Sequence, residues 1–310
     1  MAIVCVIFAF ILILKGGDLL VESSVWLAKK AKIPSIIVGA TIVAIATTFP
    51  EISVSIISGV SGRESIAINT ALGSMISNFT LVLGLSFLVC PSKIYGGRLK
   101  SKLVFYIFAI MLLTIVALDQ KVTRFDAILL LLLFIAFVIF NIFDARNSVE
   151  EETKEFLPSW FITIIQFVIS TLAIGFGANV LVASIDELSV IFGINEGLLG
   201  VFIIAVGTNI PEFVTTMTAI KMGNAEMGIG NIFGSSLIDA TILIALTALS
   251  KASGWVTIPI KLLILTMLLL LVIVLVVAVP IIKKSKSSRV QGITLIVIFL
   301  IYSLLLIKII

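Results

Sequence analysis

Apolar runs of membrane-crossing length recur ten times along the chain, near residues 2–27, 34–58, 65–90, 103–118, 125–143, 159–184, 197–221, 227–250, 258–282 and 290–309. An α-helix needs about 20 apolar residues to cross the hydrocarbon layer of a bilayer. Inside that layer it must also bond its own backbone groups. The pattern therefore predicts an all-α membrane protein with ten transmembrane helices. The longest polar break, DARNSVEEETKEFLPS, lies at the middle of the chain. It divides the chain into a first five-span unit (1–143), a linker (144–158) too short to be a folded domain, and a second five-span unit (159–310). The first run, MAIVCVIFAFILILKGGDLL, lacks the flanks of a cleaved signal and continues into more apolar sequence, so it is read as the first span.

Two of these runs carry the same interruption. Gly39 to Glu51 reads GATIVAIATTFPE and Gly200 to Glu212 reads GVFIIAVGTNIPE. An offset of 161 residues carries Ala44 to Ala205, Thr47 to Thr208, Pro50 to Pro211 and Glu51 to Glu212. Without a gap it also carries Gly73 to Gly234, Ser74 to Ser235 and Asn78 to Asp239. The shared positions are the polar and conformationally special ones, so chance matching of Leu and Ile does not explain them. Five spans is an odd number, so the second unit enters the membrane from the opposite face. The result is an inverted-topology repeat, with a binding site expected at the midplane where the units meet.

Composition agrees with the medium: 60% of residues are hydrophobic, 12% are charged and mean hydropathy is +1.30. The net charge of +4 follows the spans and calls for no nucleic-acid partner. Fourteen Lys and Arg fall on one side of the predicted spans and six on the other, with Lys15 inside the first span, which places the central loop in the cytoplasm and both termini outside the cell membrane. Cys5 and Cys90 have no metal-ligand spacing and read as buried thiols. There is no His, so proton chemistry would fall to carboxylates and a His-ligated metal is excluded.

The interruption carries chemistry. Pro50 has no N–H for the carbonyl four residues back, and Pro211 repeats the break. Backbone oxygens around Ala44, Ala46 and Thr47, and around Ala205, Gly207 and Thr208, are thereby candidates for release toward a cation or water. Thr47 lies one helical turn before Glu51, as Thr208 lies before Glu212. Ser74 and Asn78 share one helix face, as do Ser235 and Asp239, and Gly73 and Gly234 would allow close crossings. Three carboxylates, an amide, hydroxyls and loose carbonyls form an all-oxygen set suited to hard cations, Ca²⁺ and Na⁺ foremost. Glu51 and Glu212 together balance one divalent or two monovalent ions, and an ionised Asp239 would admit a third positive charge. An empty pocket would carry buried charge across the membrane at a cost of several kcal/mol, and this favours antiport.

At these residues the chain resembles the calcium/cation antiporter superfamily, whose repeats carry G-T-S-L-P-E followed by G-S-x-x-x-N/D, and within it the prokaryotic sodium/calcium exchanger branch. The resemblance covers nearly the whole chain. It implies Glu51 and Glu212 as central calcium ligands, helped by the carbonyls of Thr47 and Thr208. It further implies sodium sites formed by Ala44, Ser74, Ala205, Thr208 and Ser235, with Asn78 and Asp239 between them. It implies exchange of three sodium ions for one calcium, with the first and sixth spans sliding over a fixed core. Ala46, Thr48 and Asn209 depart from the pattern, standing for Gly, Ser and Ser. The expectation is an antiporter, not an enzyme, since no nucleophile with an adjacent base can be assembled. It would work as a single chain in the lipid bilayer, with Ca²⁺ and Na⁺ as transported ions and no cofactor. The alternative is a proton/calcium antiporter of the same fold, while a channel is disfavoured by the inverted twofold plan.

Overall fold

The computed structural model describes residues 2–91, 96–146, 158–192 and 209–309. In chain order the helices are α1 (Ala2–Ala31), α2 (Ser35–Thr47), α3 (Phe49–Val60), α4 (Glu64–Val89), α5 (Gly96–Val116), α6 (Arg124–Arg146), α7 (Trp160–Phe192), α8 (Ile210–Lys221), α9 (Ala225–Ser250), α10 (Ile260–Lys284) and α11 (Arg289–Ile309). Among the described residues, seven helices are long and apolar enough to cross a membrane: α1, α4, α5, α6, α7, α9 and α10. α2 and α3 form an eighth span bent by 48°. Helix underlies every apolar run predicted from the sequence, the seventh being described from Ile210 onward. Most of the central linker, with Ala205 and Thr208, lies outside the described residues.

The 161-residue offset reappears in the backbone. α3 maps onto α8, and the residues joining each to the next helix match: Gly62 and Gly223 have positive φ (68° and 80°), and Arg63 (φ −102°, ψ 44°) corresponds to Asn224 (φ −100°, ψ 49°). Both following helices break into a π-helical turn at equivalent points, Asn78–Val82 in α4 and Asp239–Leu243 in α9. A third π turn, Gly39–Val43, lies in α2.

A π turn shifts the hydrogen-bond ladder and strands a carbonyl. The third residue of each turn is a threonine whose hydroxyl bonds the carbonyl four residues back: Thr41 donates to Ile37 O (2.7 Å), Thr80 to Ile76 O (2.6 Å) and Thr241 to Leu237 O (2.5 Å). The sequences GATIV, NFTLV and DATIL share this x-x-Thr-apolar-apolar pattern.

α4 and α9 form the centre, 72% and 83% buried in their most apolar windows, against 28% for α1, α6 and α7. Phe79 of α4, Tyr106 of α5 and Phe233 of α9 pack there, with ring centroids 5.0 Å (Phe79 to Tyr106) and 4.9 Å (Phe79 to Phe233) apart. The crossing of α9 on α2 depends on glycine: a Cβ on Gly234 would stand 2.4 Å from Ala40 O and 2.6 Å from Ala44 Cβ. Its repeat partner Gly73 has no described atom within 4 Å of such a Cβ, and the stretch around residue 201 lies outside the described residues.

The helix ends pair in two groups. On one side Lys30 stacks over Trp160 (5.1 Å), and buried Lys102 bonds Asn141 and lies 3.7 Å from Asp144. On the other, Lys251 bonds Glu64, and Lys121 and Lys251 both lie about 5 Å from the Trp255 ring. There the all-helical expectation is modified by a two-stranded antiparallel ribbon, β1 (Lys121–Thr123) with β2 (Trp255–Thr257). Its short β-branched and aromatic segments lie in loops, where the helical period carries no signal. Among the described residues Cys5 and Cys90 form no disulfide, and both are half-buried rather than buried as expected, since each sits toward a helix end.

Candidate functional site

Thr48 interrupts the second span in the bridge region of backbone space (φ −86°, ψ 3°), and Asn209 does the same ahead of α8 (φ −90°, ψ 5°). Pro50 and Pro211 then occupy the first turns of α3 and α8, where a missing N–H is harmless. Ala44 keeps its helical partner, since Thr48 N bonds its carbonyl at 3.0 Å, so among the first-half carbonyls named above Pro50 deprives Ala46 directly. Glu51 and Glu212 fall in the same first turns, where the positive end of the helix dipole favours a carboxylate. Both are buried, at 3% and 2% exposure.

The buried side chains converge from both halves of the chain. Glu51 lies within coulombic reach of Glu212 and Asp239. Thr48 Oγ1 donates to Glu212 Oε1 (3.2 Å), and Asn78 Nδ2 donates to Asp239 Oδ2 (3.2 Å). Thr47 Oγ1 donates to Ala44 O and to Asn231 Oδ1, each at 3.3 Å, and Asn231 Nδ2 in turn donates to Thr216 Oγ1 (3.4 Å). Asn209 Nδ2 donates to Ser74 Oγ (3.3 Å), while Ser235 Oγ donates back along its own helix to Asn231 O (2.8 Å).

Among the described residues, four acceptor oxygens in this cluster are buried without a hydrogen-bond partner: Glu51 Oε2, Glu212 Oε2, Asp239 Oδ1 and Asn78 Oδ1. Buried polar atoms are nearly always satisfied, so a group of unsatisfied oxygens is a place where a cation or ordered water completes the structure. The set contains no sulfur or imidazole and suits a hard cation. It is not a cage of three acids, however: among the described residues no three acidic, His or Cys side chains are arranged to hold one metal. Asp239 is tied to Asn78, and like charges at ligating distance oppose a tighter cluster.

Of the residues expected from the sequence, Ala44, Thr47, Glu51, Ser74, Asn78, Glu212, Ser235 and Asp239 are all buried in this region. Ala205 and Thr208 lie outside the described residues. The sequence reading passed over Asn231, which bridges Thr47 and Thr216, although its position one turn before Ser235 placed it on the same face. It named Thr48 and Asn209 only as departures, whereas each reaches a candidate site residue of the other half.

The Sodium/calcium exchanger protein family model matches residues 1–143 and 162–308. The chain is 29% identical over 263 residues to the inner membrane protein YrbG of Escherichia coli, covering 80% of each. It is 25% identical to the sodium/calcium exchanger MaX1 of Methanosarcina acetivorans, covering 78% of this chain and 81% of that one. In three dimensions it matches the sodium-calcium exchanger NCX_Mj, solved after soaking with Na⁺ and without Ca²⁺, at a TM-score of 0.84 and 25% identity over 97% of both chains. With more than nine-tenths of its length matched by one family, the chain belongs to the Sodium/calcium exchanger protein family, within the calcium/cation antiporter superfamily.

Proposed function

We propose that this protein exchanges Ca²⁺ for Na⁺ across the cell membrane by alternating access, with the ions held among Glu51, Glu212, Asp239 and Asn78. The observation that carries the reading is the group of four buried, unpartnered oxygens drawn from both halves of the chain. Glu51 and Glu212 balance one Ca²⁺, and neutral oxygens near them complete its shell. Two Na⁺ balance the same pair. Without either load the carboxylates would face an apolar interior at a cost of several kcal/mol, so the change of facing follows loading. Residues 1–143 and 159–310 act as inverted five-span units joined by the 144–158 linker, and one chain suffices for transport. The matched element boundaries at the 161-residue offset support this plan. Both termini lie outside. The helix-end contacts group Lys30 and Lys102 apart from Lys121 and Lys251, as the sorting of basic residues onto two sides requires.

The test is ⁴⁵Ca²⁺ uptake into sodium-loaded proteoliposomes diluted into sodium-free buffer, with a pH gradient replacing sodium in a parallel arm. Uptake in the sodium arm, lost in Glu51→Gln and Glu212→Gln, is the expected result. Uptake driven by pH alone would replace Na⁺ with H⁺ as the coupling ion, and wild-type flux in either Gln variant would overturn the site.

A further inference from the structure

We infer that Asn209 closes one monovalent-cation subsite, so that this exchanger trades two Na⁺, not three, for each Ca²⁺; the inference rests on the exchange function proposed above. The two halves supply equivalent serines, Ser74 and Ser235, each one turn before Asn78 or Asp239. Their surroundings differ. Ser235 Oγ spends its proton on Asn231 O at 2.8 Å, which leaves its lone pairs turned away from that bond and open to a cation. Ser74 Oγ instead accepts from the Asn209 amide at 3.3 Å.

The difference arises at the kink. Thr48 and Asn209 occupy equivalent positions with nearly the same backbone angles, yet Thr48 has a short side chain that turns its hydroxyl onto Glu212 Oε1. Asn209 is longer, is 2% exposed, and presents N–H groups to Ser74. An amide nitrogen has no lone pair for a cation, and its hydrogens carry positive charge. A Na⁺ beside Ser74 would therefore meet a donor already bonded to its ligand.

The experiment is displacement of ⁴⁵Ca²⁺ by Na⁺ from the purified protein in nanodiscs, read as a Hill slope, which is bounded by the number of displacing sites. The slope is expected near 2 for wild type and to rise toward about 3 in Asn209→Ser, falling back when Ser74→Ala is added. A wild-type slope of about 3 would overturn the inference while leaving sodium/calcium exchange in place. An unchanged slope in an Asn209→Ser protein that still binds Ca²⁺ would overturn the role given to Asn209. Failure of Na⁺ to displace Ca²⁺ at any concentration would refute sodium coupling itself, and the inference with it.

Discussion

Replacing Gly234 by alanine tests whether the crossing of α9 on α2 sets the geometry of the ion site. The added Cβ would lie 2.4 Å from Ala40 O, 2.6 Å from Ala44 Cβ and 2.7 Å from Ala40 C. Two of those three atoms are backbone and the third is attached to it directly, so no flexible side chain can move aside. The closest approach falls about 1 Å short of the 3.4 Å at which ordinary contact begins, and the helices must separate by a comparable amount. Overpacking of this kind costs about 1–3 kcal/mol. Ser235 is the next residue and Asp239 lies little more than one turn beyond, so the shift reaches the oxygens directly. Metal–ligand distances tolerate about 0.2 Å, and Ca²⁺ affinity should fall by about tenfold or more. Thermal unfolding in detergent and calorimetric Ca²⁺ titration measure the two effects. The control is Gly175→Ala, whose Cβ would lie 3.5 Å from Pro50 Cγ, an ordinary contact. A Gly234→Ala protein that melts and binds Ca²⁺ like wild type would refute the argument, because it would mean that the crossing can open without moving the site.

Three further outcomes follow from particular contacts. Thr48→Val removes the donor to Glu212 Oε1 and should weaken Ca²⁺ binding by about tenfold or more, in line with about 1.5–3 kcal/mol for a hydrogen bond to a charged group, whereas Thr48→Ser should keep it; isothermal titration separates the two. Asn141→Leu strips the buried Lys102 ammonium of the amide oxygen it bonds and should destabilise the fold by about 3 kcal/mol, and adding Lys102→Met should recover most of that loss in a thermal-shift assay. Glu64→Gln breaks the ion pair to Lys251 at a partly exposed position, so it should cost less than about 1 kcal/mol and leave sodium-driven Ca²⁺ uptake at its wild-type rate.

Much of the candidate site is written locally. Glu51 and Glu212 stand out because a carboxylate next to proline inside an apolar run is costly and needs a reason. Ser74 with Asn78, and Ser235 with Asp239, follow from the helical period, which puts residues four apart on one face. The period fails at the π turns, where the register slips by one residue, and each turn carries at its third position a threonine that bonds the carbonyl four residues back. It also fails for the ribbon of Lys121–Thr123 with Trp255–Thr257, whose strands are more than a hundred residues apart and are joined only by the packing of the helices beneath them.

The amino-acid sequence alone determined the medium, the number of apolar runs, the 161-residue correspondence and the carboxylates at its centre. It could do so because a bilayer forces each span to satisfy its own backbone, which leaves a long, local record of hydropathy. Tertiary structure decided which side chain of one half meets which of the other: Thr48 with Glu212, Thr47 with Asn231, Asn78 with Asp239 and Asn209 with Ser74. Those pairings depend on the crossing of α9 over α2 at Gly234 and on the bends at Thr48 and Asn209. A helical period fixes the face a residue occupies, but the partner across a helix crossing is set by distance and angle in three dimensions, which no stretch of sequence records.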